Sequence, residues 1–541
     1  MMYEVHEPRV LIVGGGLVGL TAALFLQYHG VPSVLVERRA STSPQPKARR
    51  INIRTMELFD QIGIGEAVLE AARDLAAHQA MAAGPTLTHA GRLPFTLPGG
   101  VPDWAAITPS TACLCAQDLL EPTLRALATE RGCDIRFGVE CTEFTQDATG
   151  IAMTLRSADG DIRRIQASYL IAADGAASPI RERLGIPRSG RGALGRAVNV
   201  YFHAELSHLV RGREFNLCQI ENDRVPGALM SVDGARRWIF SSSRDIDRPV
   251  RDWPQALRIA IGEPDIDIEV VSVLPWEPGM FVADRYREGR IFLAGDAAHV
   301  MPPYAAAGAN TGIHDVHNLA WKLAAVLRGD AGPGLLDTYQ AERHPVGWFT
   351  ADQSSIRSGD LRTMAHHSTD GTPLADPIAM ILGQRYPSGA FIDDHSAHTL
   401  TRLDLTGQPG TRVPHLPLPD GRSTLDLTGR GFALLTGPHA GPWQSAGRSP
   451  VPHGTWSENV CPAVDIACPD APPVRIRAPY RRVPLPVHTL DETRCAAVGI
   501  TASGALLLRP DQIVAWRVPT APAEPATALD SALDRILAGQ Q

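Results

Sequence analysis

The sequence predicts a mixed α/β and α+β fold, in which a parallel-sheet unit is combined with an antiparallel sheet and a smaller C-terminal unit. The first observation is a strand, a glycine turn, a helix and a second strand within residues 9–37, which together make a βαβ unit. The second is a series of alternating apolar runs at residues 197–204, 227–232 and 238–242, a pattern typical of antiparallel strands. The third is the length of 541 residues, which is enough for about three or four domains.

Further along the chain, two more units are predicted. A buried strand at residues 290–294 and a helix with an apolar face at residues 310–327 return the chain to the parallel-sheet unit. Proline and polar residues become frequent between residues 388 and 419, as is typical of a linker. Beyond this segment, apolar runs at residues 432–436 and 505–517 predict the strands of a small terminal domain.

The composition excludes several classes of protein. Hydrophobic residues make up 44% of the chain and charged residues 20%, which is typical of a globular protein. The formal net charge is −7 and no dense basic stretch occurs, so a nucleic-acid partner is not expected. The eight cysteines form no C-x-x-C pair, and the apolar run at residues 10–26 is broken by glycines. Since no basic segment precedes that run, we expect a cytoplasmic protein without a membrane partner.

A glycine-rich turn follows the first predicted strand. Gly14, Gly16 and Gly19 form a G-x-G-x-x-G pattern that opens the first helix. The first glycine permits a tight turn, the second lets the backbone approach a pyrophosphate, and the third lets the helix pack closely against the strand. Glu37 lies at the end of the second strand, where it can accept hydrogen bonds from a ribose. The pattern therefore predicts a dinucleotide site, although by itself it does not separate FAD from NAD.

Two later strands end in acidic turns. Residues 169–173 precede Asp174 and Gly175, and residues 290–294 precede Gly295 and Asp296. The second of these turns is followed by Pro303 and by a glycine-containing loop before the helix. An aspartate after a buried strand can act simply as a helix cap, so Asp296 has a structural alternative.

With these motifs in this order, the chain resembles the class A flavin-dependent aromatic hydroxylases, the group of para-hydroxybenzoate and phenol hydroxylases. It is most similar in pattern to the bacterial hydroxylases of aromatic polyketides such as anthracyclines. The resemblance covers nearly the whole chain. It is carried by residues 14–19, 54–57, 117, 174–175, 295–310 and 318–323.

The resemblance implies the arrangement of the domains. A Rossmann-like FAD-binding domain of the para-hydroxybenzoate hydroxylase type is expected to comprise residues 1–75, 110–187 and 281–390. A substrate domain with an antiparallel sheet, made of residues 76–109 and 188–280, would be interleaved with it. Residues 410–541 resemble the thioredoxin-like appendage of phenol and polyketide hydroxylases, but they lack C-x-x-C and cannot exchange disulfides.

The resemblance also implies which residues hold the cofactor. The backbone of Pro303 would lie near the reacting oxygen, and the helix start at residues 308–310 would direct N–H groups and a positive dipole end at the flavin ring. The expected contacts to the cofactor are Gly14, Gly16, Gly19, Glu37, Arg38, Gln117, Asp174, Gly295, Asp296, Pro303, Gly308, Ala309 and Asn310.

The substrate side is less clearly indicated by the sequence. Trp238, Phe240 and Trp276 are candidates for the pocket, with the alternative that they belong to the core. Phenol hydroxylases carry an aspartate base where this chain has Arg49, so no general base can be named. Family members usually have glycine at the positions of Ala305 and Ala306. No metal is expected, because His314 and His317 lack a third ligand at a suitable spacing.

The activity implied by the resemblance is aromatic hydroxylation. NADPH or NADH would bind transiently and reduce a tightly but non-covalently bound FAD. O₂ would then form a C4a-hydroperoxide that transfers one oxygen to a phenolic or polycyclic, polyketide-derived substrate. The alternatives are a Baeyer–Villiger or ring-rearranging monooxygenase acting on a similar substrate, and a non-enzymatic FAD-binding scaffold. The expected partner is therefore a small aromatic molecule, with a homodimer also possible.

Overall fold

The structure is a computed structural model of the whole chain. It describes residues 9–94, 102–243, 252–357, 374–393, 403–439, 441, 443 and 485–538. The helices within these ranges are Leu17–Tyr28, Ile53–Gln61, Gly65–Ala71, Trp104–Ile107, Gln117–Glu130, Pro179–Arg183, Ser207–Val210, Trp253–Ile261, Ala307–Arg328, Asp337–Arg357, Pro377–Leu382, Glu492–Ala497 and Pro525–Ala538. No helix in these ranges is both long enough and apolar enough to cross a bilayer.

A six-stranded sheet forms the centre of the first unit. In spatial order its strands are Arg287–Glu288, Ile291–Leu293, Tyr169–Ala172, Val10–Val13, Ser33–Glu37 and Asp134–Phe137. Neighbouring strands are parallel, except for the antiparallel pair at the first edge. The central strands are short apolar runs because helices cover both faces of a parallel sheet. The predicted parallel sheet is therefore confirmed.

A seven-stranded sheet forms the second unit. In spatial order its strands are Glu269–Trp276, Ala197–His203, Arg237–Ser242, Gly227–Ser231, Leu217–Ile220, Met81–Gly84 and Gly91–Arg92. All neighbours are antiparallel except Leu217–Ile220 and Met81–Gly84, which are parallel. The three strands predicted from alternating apolar residues lie side by side in this sheet. That prediction is confirmed.

Smaller sheets join these units. One contains Val139–Gln146, Ile151–Ser157 and Ile162–Ala167, and another contains Arg188–Ala193, Gly279–Ala283 and His299–Val300. The two-stranded pair is Arg50–Ile51 with Cys113–Leu114.

The C-terminal unit contains a four-stranded sheet. Its strands, in spatial order, are Val487–Thr489, Ala433–Thr436, Ala505–Leu508 and Val514–Val518. The first pair is parallel and the other two pairs are antiparallel. The terminal strands predicted from apolar runs are thus confirmed.

The predicted linker between residues 388 and 419 is wrong for the part of this segment that the structure describes. Val413 is completely buried, and its N–H donates to the carbonyl of Gln512 at 2.9 Å. The N–H of Gly410 donates to the carbonyl of Val514, also at 2.9 Å. The proline-rich composition reflects a lack of regular secondary structure, and the backbone is satisfied by the neighbouring sheet edge.

Candidate cofactor and substrate sites

Two of the three glycines of the turn have no space for a Cβ atom, whereas the third does. Gly14 has φ +112°, and a Cβ there would lie 2.1 Å from the Ala173 carbonyl oxygen. A Cβ on Gly19 would lie 1.8 Å from the Gly14 carbonyl oxygen. At Gly16, by contrast, the nearest atom to a Cβ would be Glu121 Oε1 at 3.5 Å. Gly14 and Gly19 are therefore required by the turn itself, whereas Gly16 leaves its backbone open to an approaching phosphate.

The predicted ribose ligand lies at the same turn. The Glu37 carboxylate accepts the N–H of Gly15 at 2.7 Å and that of Arg39 at 2.9 Å, which holds it at the end of its strand. The exposed Arg38 lines an adjoining open groove together with Arg39 and Arg156. Glu37 is thus placed to meet a ribose, and Arg38 lies at the outer edge of that position.

Two helix N-termini converge on the Gly295–Asp296 turn. Gly295 has φ +60°, and a Cβ there would lie 2.7 Å from Val18 Cγ2 in the first turn of helix Leu17–Tyr28. A Cβ on Gly312 of helix Ala307–Arg328 would lie 2.8 Å from the Gly295 Cα. The N-cap residue of neither helix supplies a side-chain cap, although the first N–H of helix Leu17–Tyr28 donates to the Glu121 carboxylate. Both positive dipole ends therefore point toward one crevice, which suits an anionic cofactor.

Asp296 lies in this crevice. Its side chain is exposed, although protein surrounds it closely enough for desolvation to raise the pKa of its carboxyl, an effect partly offset by the charges of His299 and Lys47. The carboxyl is both exposed and partly desolvated because the crevice is open to solvent on one side and lined by protein on the others. An accessible acceptor at this depth fits the ribityl hydroxyls of FAD.

The long helix after Asp296 begins earlier in the chain than the sequence indicated. The exposed Pro303 precedes a 3₁₀ turn, Tyr304–Ala306, and the α-helix starts at Ala307. A Cβ on Gly308 would meet only Met301 Cγ, at 3.5 Å, so this position is open like Gly16. The half-buried Ala309 completes the first turn. These open backbone groups fit one edge of a flavin ring.

Asn310, at the helix start that is predicted to face the flavin, uses its side chain to support the loop. Its Oδ1 accepts the Asn52 N–H at 3.0 Å and the Thr55 hydroxyl at 2.7 Å. Its Nδ2 donates to the carbonyls of Arg50 and Ala306, at 3.0 and 2.8 Å. An amide side chain has no further donor or strong acceptor capacity, so Asn310 braces the loop and its side chain is not free for a ligand.

Gln117 is linked to a residue that the sequence analysis missed. Its Nε2 donates to Glu121 Oε1 at 2.7 Å, and its Oε1 accepts the Ala48 N–H at 3.4 Å. Glu121 is almost completely buried beside Gly16 and also accepts the Ser43 N–H at 2.9 Å. Burial raises the pKa of its carboxyl. An acid four residues after Gln117 on a buried helix face was the available signal.

Asp174 organises its own turn. Its carboxylate accepts the Ser178 hydroxyl at 2.6 Å and the Ile180 N–H at 3.1 Å. The buried Arg181 donates to carbonyls of this turn at 3.0 Å and to the carbonyl of Ala297 at 3.4 Å. Arg181 therefore fastens the two acidic turns to each other, a role that sequence reasoning did not assign to it.

Asp315 is a second missed residue. Its buried carboxylate accepts the Gly295 N–H at 3.2 Å, contacts His299 Nε2 at 2.7 Å and accepts Arg343 Nε at 2.8 Å. It holds the Gly295 turn against the long helix. The signal was the single acid in the predicted helix at residues 310–327.

Two of the three predicted substrate residues are wrong. Trp238 and Phe240 are completely buried in the core that packs on helix Trp253–Ile261. Ile239 lies between them on the opposite face of the sheet and packs against Ala116 of the FAD-binding unit. Because strand side chains alternate between faces, Trp238 and Phe240 point away from the cofactor.

Trp276 lies on the same face of the sheet as Ile239. It is half-buried and paired with Ala197, and its Nε1 donates to Asn199 Oδ1 at 3.0 Å. Asn199 and Tyr201 alternate with core residues, so they share the face of Ile239. Other half-buried residues on this face are Met81, Leu217, Gln219, Met230 and Ser241.

Arg49 spans the space between the sheet and the cofactor crevice. Its guanidinium donates to the Ser231 carbonyl at 2.7 Å and to the carbonyl and side-chain oxygens of Asn216 at 3.2 and 3.0 Å. Burial lowers the pKa of Arg49 to about 10, which still leaves it charged at neutral pH. Among the described residues it has no carboxylate within 4 Å, so the buried cation is not neutralised by an ion pair.

The two histidines with helical spacing serve the fold. His314 Nε2 lies 3.0 Å from the Thr55 hydroxyl, and His317 Nε2 lies 2.8 Å from Gln61 Oε1. Within the described ranges, no cluster of three or more histidine, cysteine or acidic side chains could bind a metal ion.

Comparison with known proteins agrees with this geometry. The family described as "FAD binding domain" matches residues 7–354, and "Aromatic-ring hydroxylase, C-terminal" matches residues 406–539. A putative polyketide hydroxylase from Streptomyces halstedii is 40% identical, with 96% of each chain covered. The tetracenomycin A2 monooxygenase-dioxygenase of Streptomyces glaucescens is 39% identical, covering 98% of this chain and 97% of the relative.

A solved structure extends the likeness to three dimensions. The ternary complex of aklavinone-11 hydroxylase with FAD and aklavinone has a TM-score of 0.84 and 32% identity, covering 98% of this chain and 99% of that chain. The chain therefore belongs to the FAD-dependent aromatic-ring hydroxylases and is a flavoprotein monooxygenase.

Proposed function

We propose that the protein hydroxylates a phenolic, polycyclic substrate of polyketide origin, with NAD(P)H as electron donor and O₂ as co-substrate. The names of the similar Streptomyces enzymes support this substrate class. The observation that carries the proposal is one short segment: Asn310 binds the carbonyl of Arg50 beside the crevice, and the adjacent Arg49 binds Ser231 and Asn216 of the sheet. A substrate between the cofactor and the sheet face would lie along this segment.

Bound FAD would supply the redox chemistry, accepting electrons from NAD(P)H and activating O₂. The protein's part is to bind and orient the reactants. Glu37 would hold the ribose, the open backbone at Gly16 the pyrophosphate, and Asp296 the ribityl chain. The first turn of helix Ala307–Arg328 would stabilise negative charge on the ring. Pro303 would form the backbone wall on the reacting side.

NAD(P)H would bind only transiently in this mechanism. The sequence has two G-x-G-x-x-G patterns: the one at Gly14–Gly19 links a strand to a helix, whereas the one at residues 190–195 overlaps strand Arg188–Ala193 and opens no helix. FAD would take the first. The nicotinamide cofactor must then bind over the surface and leave after reduction.

Arg49 would replace the missing carboxylate base. A buried cation without an ion-pair partner favours the ionised form of a nearby phenol, because the phenolate supplies the countercharge. The protein would thus select a substrate that is already ionised and need not abstract its proton. Lower phenol pKa in the complex is the expected consequence.

The domain arrangement also remains part of the proposal. The C-terminal strand order, with one parallel pair and two antiparallel pairs, supports a thioredoxin-like domain at residues 410–541. The sheets described above support the proposed FAD-binding segments 1–75, 110–187 and 281–390 and the proposed substrate segments 76–109 and 188–280. A cytoplasmic location is also proposed, with a homodimer as one possible assembly.

The test is the rate of flavin reduction by NADPH in the presence of polycyclic phenols, followed by stopped-flow absorbance. A substrate should accelerate reduction, and mass spectrometry with NMR should show one added hydroxyl. A product with oxygen inserted into a C–C bond would establish the Baeyer–Villiger alternative. If no aromatic compound changes the rate, the hydroxylase proposal is refuted.

The role of Arg49 is tested in the same assay by its pH dependence. Arg49→Gln should move the pH at which substrate binds as phenolate upward by about 1 unit, whereas Arg49→Lys should retain most of the shift. An unchanged pH profile for Arg49→Gln would limit Arg49 to joining the two units.

A further inference from the structure

A small cavity lies where the C-terminal unit meets the long helix, away from the cofactor crevice. Its volume is about 30 Å³, which is room for about two water-sized particles. None of the glycine-turn residues or Asp296 lines it. The polar residues that line it are Arg54, His314, His317, Asn318, Arg343, Gln384, Tyr386, Arg412 and the carboxylate Asp511.

Two polar atoms of these side chains lack a partner. Arg412 Nη1 and Asn318 Oδ1 are buried and make no hydrogen bond to any residue that the structure describes. The orientation of Asn318 is settled, because its Nδ2 donates to Glu342 at 2.6 Å and to Asp511 at 3.2 Å. A buried donor and a buried acceptor without partners indicate that the cavity holds something polar.

The charges nearest the cavity do not balance. Arg54 and Arg412 both pair with one carboxylate, Glu57, and all three side chains are buried. Arg54 Nη1 and Arg412 Nε each lie 2.8 Å from Glu57 Oε2. This triad carries one positive charge in excess.

The surrounding ion pairs do not supply the missing negative charge. Arg343 is balanced by Asp315. Four further buried groups balance one another: Lys322, Glu342, Arg509 and Asp511. Burial holds the pKa of both His314 and His317 well below its usual value. The positive charge of Arg343 lowers the pKa of His314 further, and that of Arg54 does the same for His317. Both histidines are therefore neutral, and the excess charge remains.

We propose that this cavity binds a small monovalent anion, such as chloride, with Arg412 Nη1 as a donor. A buried, uncompensated cation is costly, and an anion beside it restores neutrality. The second particle would be a water that donates to Asn318 Oδ1. Since Arg412, Asp511 and Ile513 come from the C-terminal part and the other walls from the FAD-binding part, the anion would fasten the two together. This inference does not depend on the substrate or on the reaction.

The direct test is a crystal of the FAD-loaded protein grown or soaked in bromide, with data collected at the bromine absorption edge. An anomalous peak within hydrogen-bond distance of Arg412 Nη1 is expected. Two waters, or a side chain of the protein, at that position with no anomalous signal would overturn the proposal.

A solution test uses thermal unfolding of the holoenzyme when chloride replaces gluconate at constant ionic strength. We expect a saturable rise in Tm of about 3 °C. Arg412→Gln removes the excess charge and should abolish the rise. Arg422→Gln, at an exposed arginine paired with Asp420, should retain it. A wild-type Tm that is the same in both salts would contradict anion binding, whether or not the Arg412 variant folds.

Discussion

Replacing Gly16 with alanine should separate cofactor binding from folding. Gly16 has φ −81°, a value that alanine adopts without strain, and its added Cβ would come no closer than 3.5 Å to another part of the protein. Gly16 is the N-cap of its helix, where alanine is less favourable than glycine by about 1 kcal/mol. The free energy of unfolding of the FAD-free protein should therefore fall by about 1 kcal/mol or less.

The effect on FAD should be much larger. The Cβ would occupy the open space over the turn and hold a pyrophosphate away from the backbone N–H groups. Hydrogen bonds to a charged group contribute about 1.5–3 kcal/mol, so FAD should bind about 10- to 150-fold more weakly. The measurements are a fluorescence titration of the FAD-free protein with FAD and urea unfolding of the same preparation.

Two other glycines serve as controls. Gly19→Ala should prevent folding, since its Cβ would collide with the Gly14 carbonyl. Gly431→Ala should change neither property, because no atom lies within 4 Å of its Cβ position. Wild-type FAD affinity in Gly16→Ala would refute the assignment of this turn to the pyrophosphate.

Four further predictions follow from the same geometry. Ala306 has φ +52°, so Ala306→Gly should raise the free energy of unfolding by about 1 kcal/mol in urea unfolding, and a decrease would contradict left-handed strain at this residue. Asp296→Ala should purify with little FAD, as judged by visible absorbance; a fully yellow protein would show that the carboxylate is dispensable. Trp276→Phe should raise the KM for the aromatic substrate several-fold, whereas Trp238→Phe should lower stability and leave KM unchanged. The reverse result would show that the substrate binds on the face of Trp238. Burial alone would raise the pKa of Glu342, but its cationic partners outweigh burial and lower the pKa to about 2, so its contribution to stability is present above about pH 4.5 and is lost as pH falls toward 2. The free energy of unfolding, measured by denaturant titration at a series of pH values, should decline by about 3 kcal/mol over that interval. A free energy of unfolding that does not change with pH there would contradict the lowered pKa of Glu342.

The parts of the site that sequence could predict are those determined by local backbone chemistry. Gly14 has a local cause in its φ of +112°, and Gly19 in the carbonyl of Gly14 within the same turn, although the distant Ala173 also approaches Gly14. Glu37 follows a buried strand of the same βαβ unit and accepts the Gly15 N–H. In each case the sequence pattern and the structural cause lie within about 30 residues. Such features can be recognised before the fold is known.

The face of a strand was not predictable in this way. Trp238 and Trp276 are both tryptophans on strands of the same sheet, and both donate an indole N–H to an oxygen of a neighbouring segment. Only the packing of helix Trp253–Ile261 on one face and of Ala116 on the other distinguishes them. Alternation shows which residues share a face, but it does not show which layer covers that face.

The buried ion pairs were hidden for a different reason, and they change how the C-terminal part is understood. Arg412 lies in a proline-rich stretch that resembles a linker, yet it pairs with Glu57, 355 residues earlier. Arg509 likewise binds Glu342, which also binds Lys322 of the long helix. The first turn of that helix contains the predicted cofactor residues Gly308 and Ala309, so the C-terminal charges contact the same helix that carries part of the predicted site. The C-terminal part is therefore not a loosely attached appendage: removing its charges would take Arg412 from Glu57 and Arg509 from Glu342, and these two buried carboxylates would keep only Arg54 and Lys322 as charged partners.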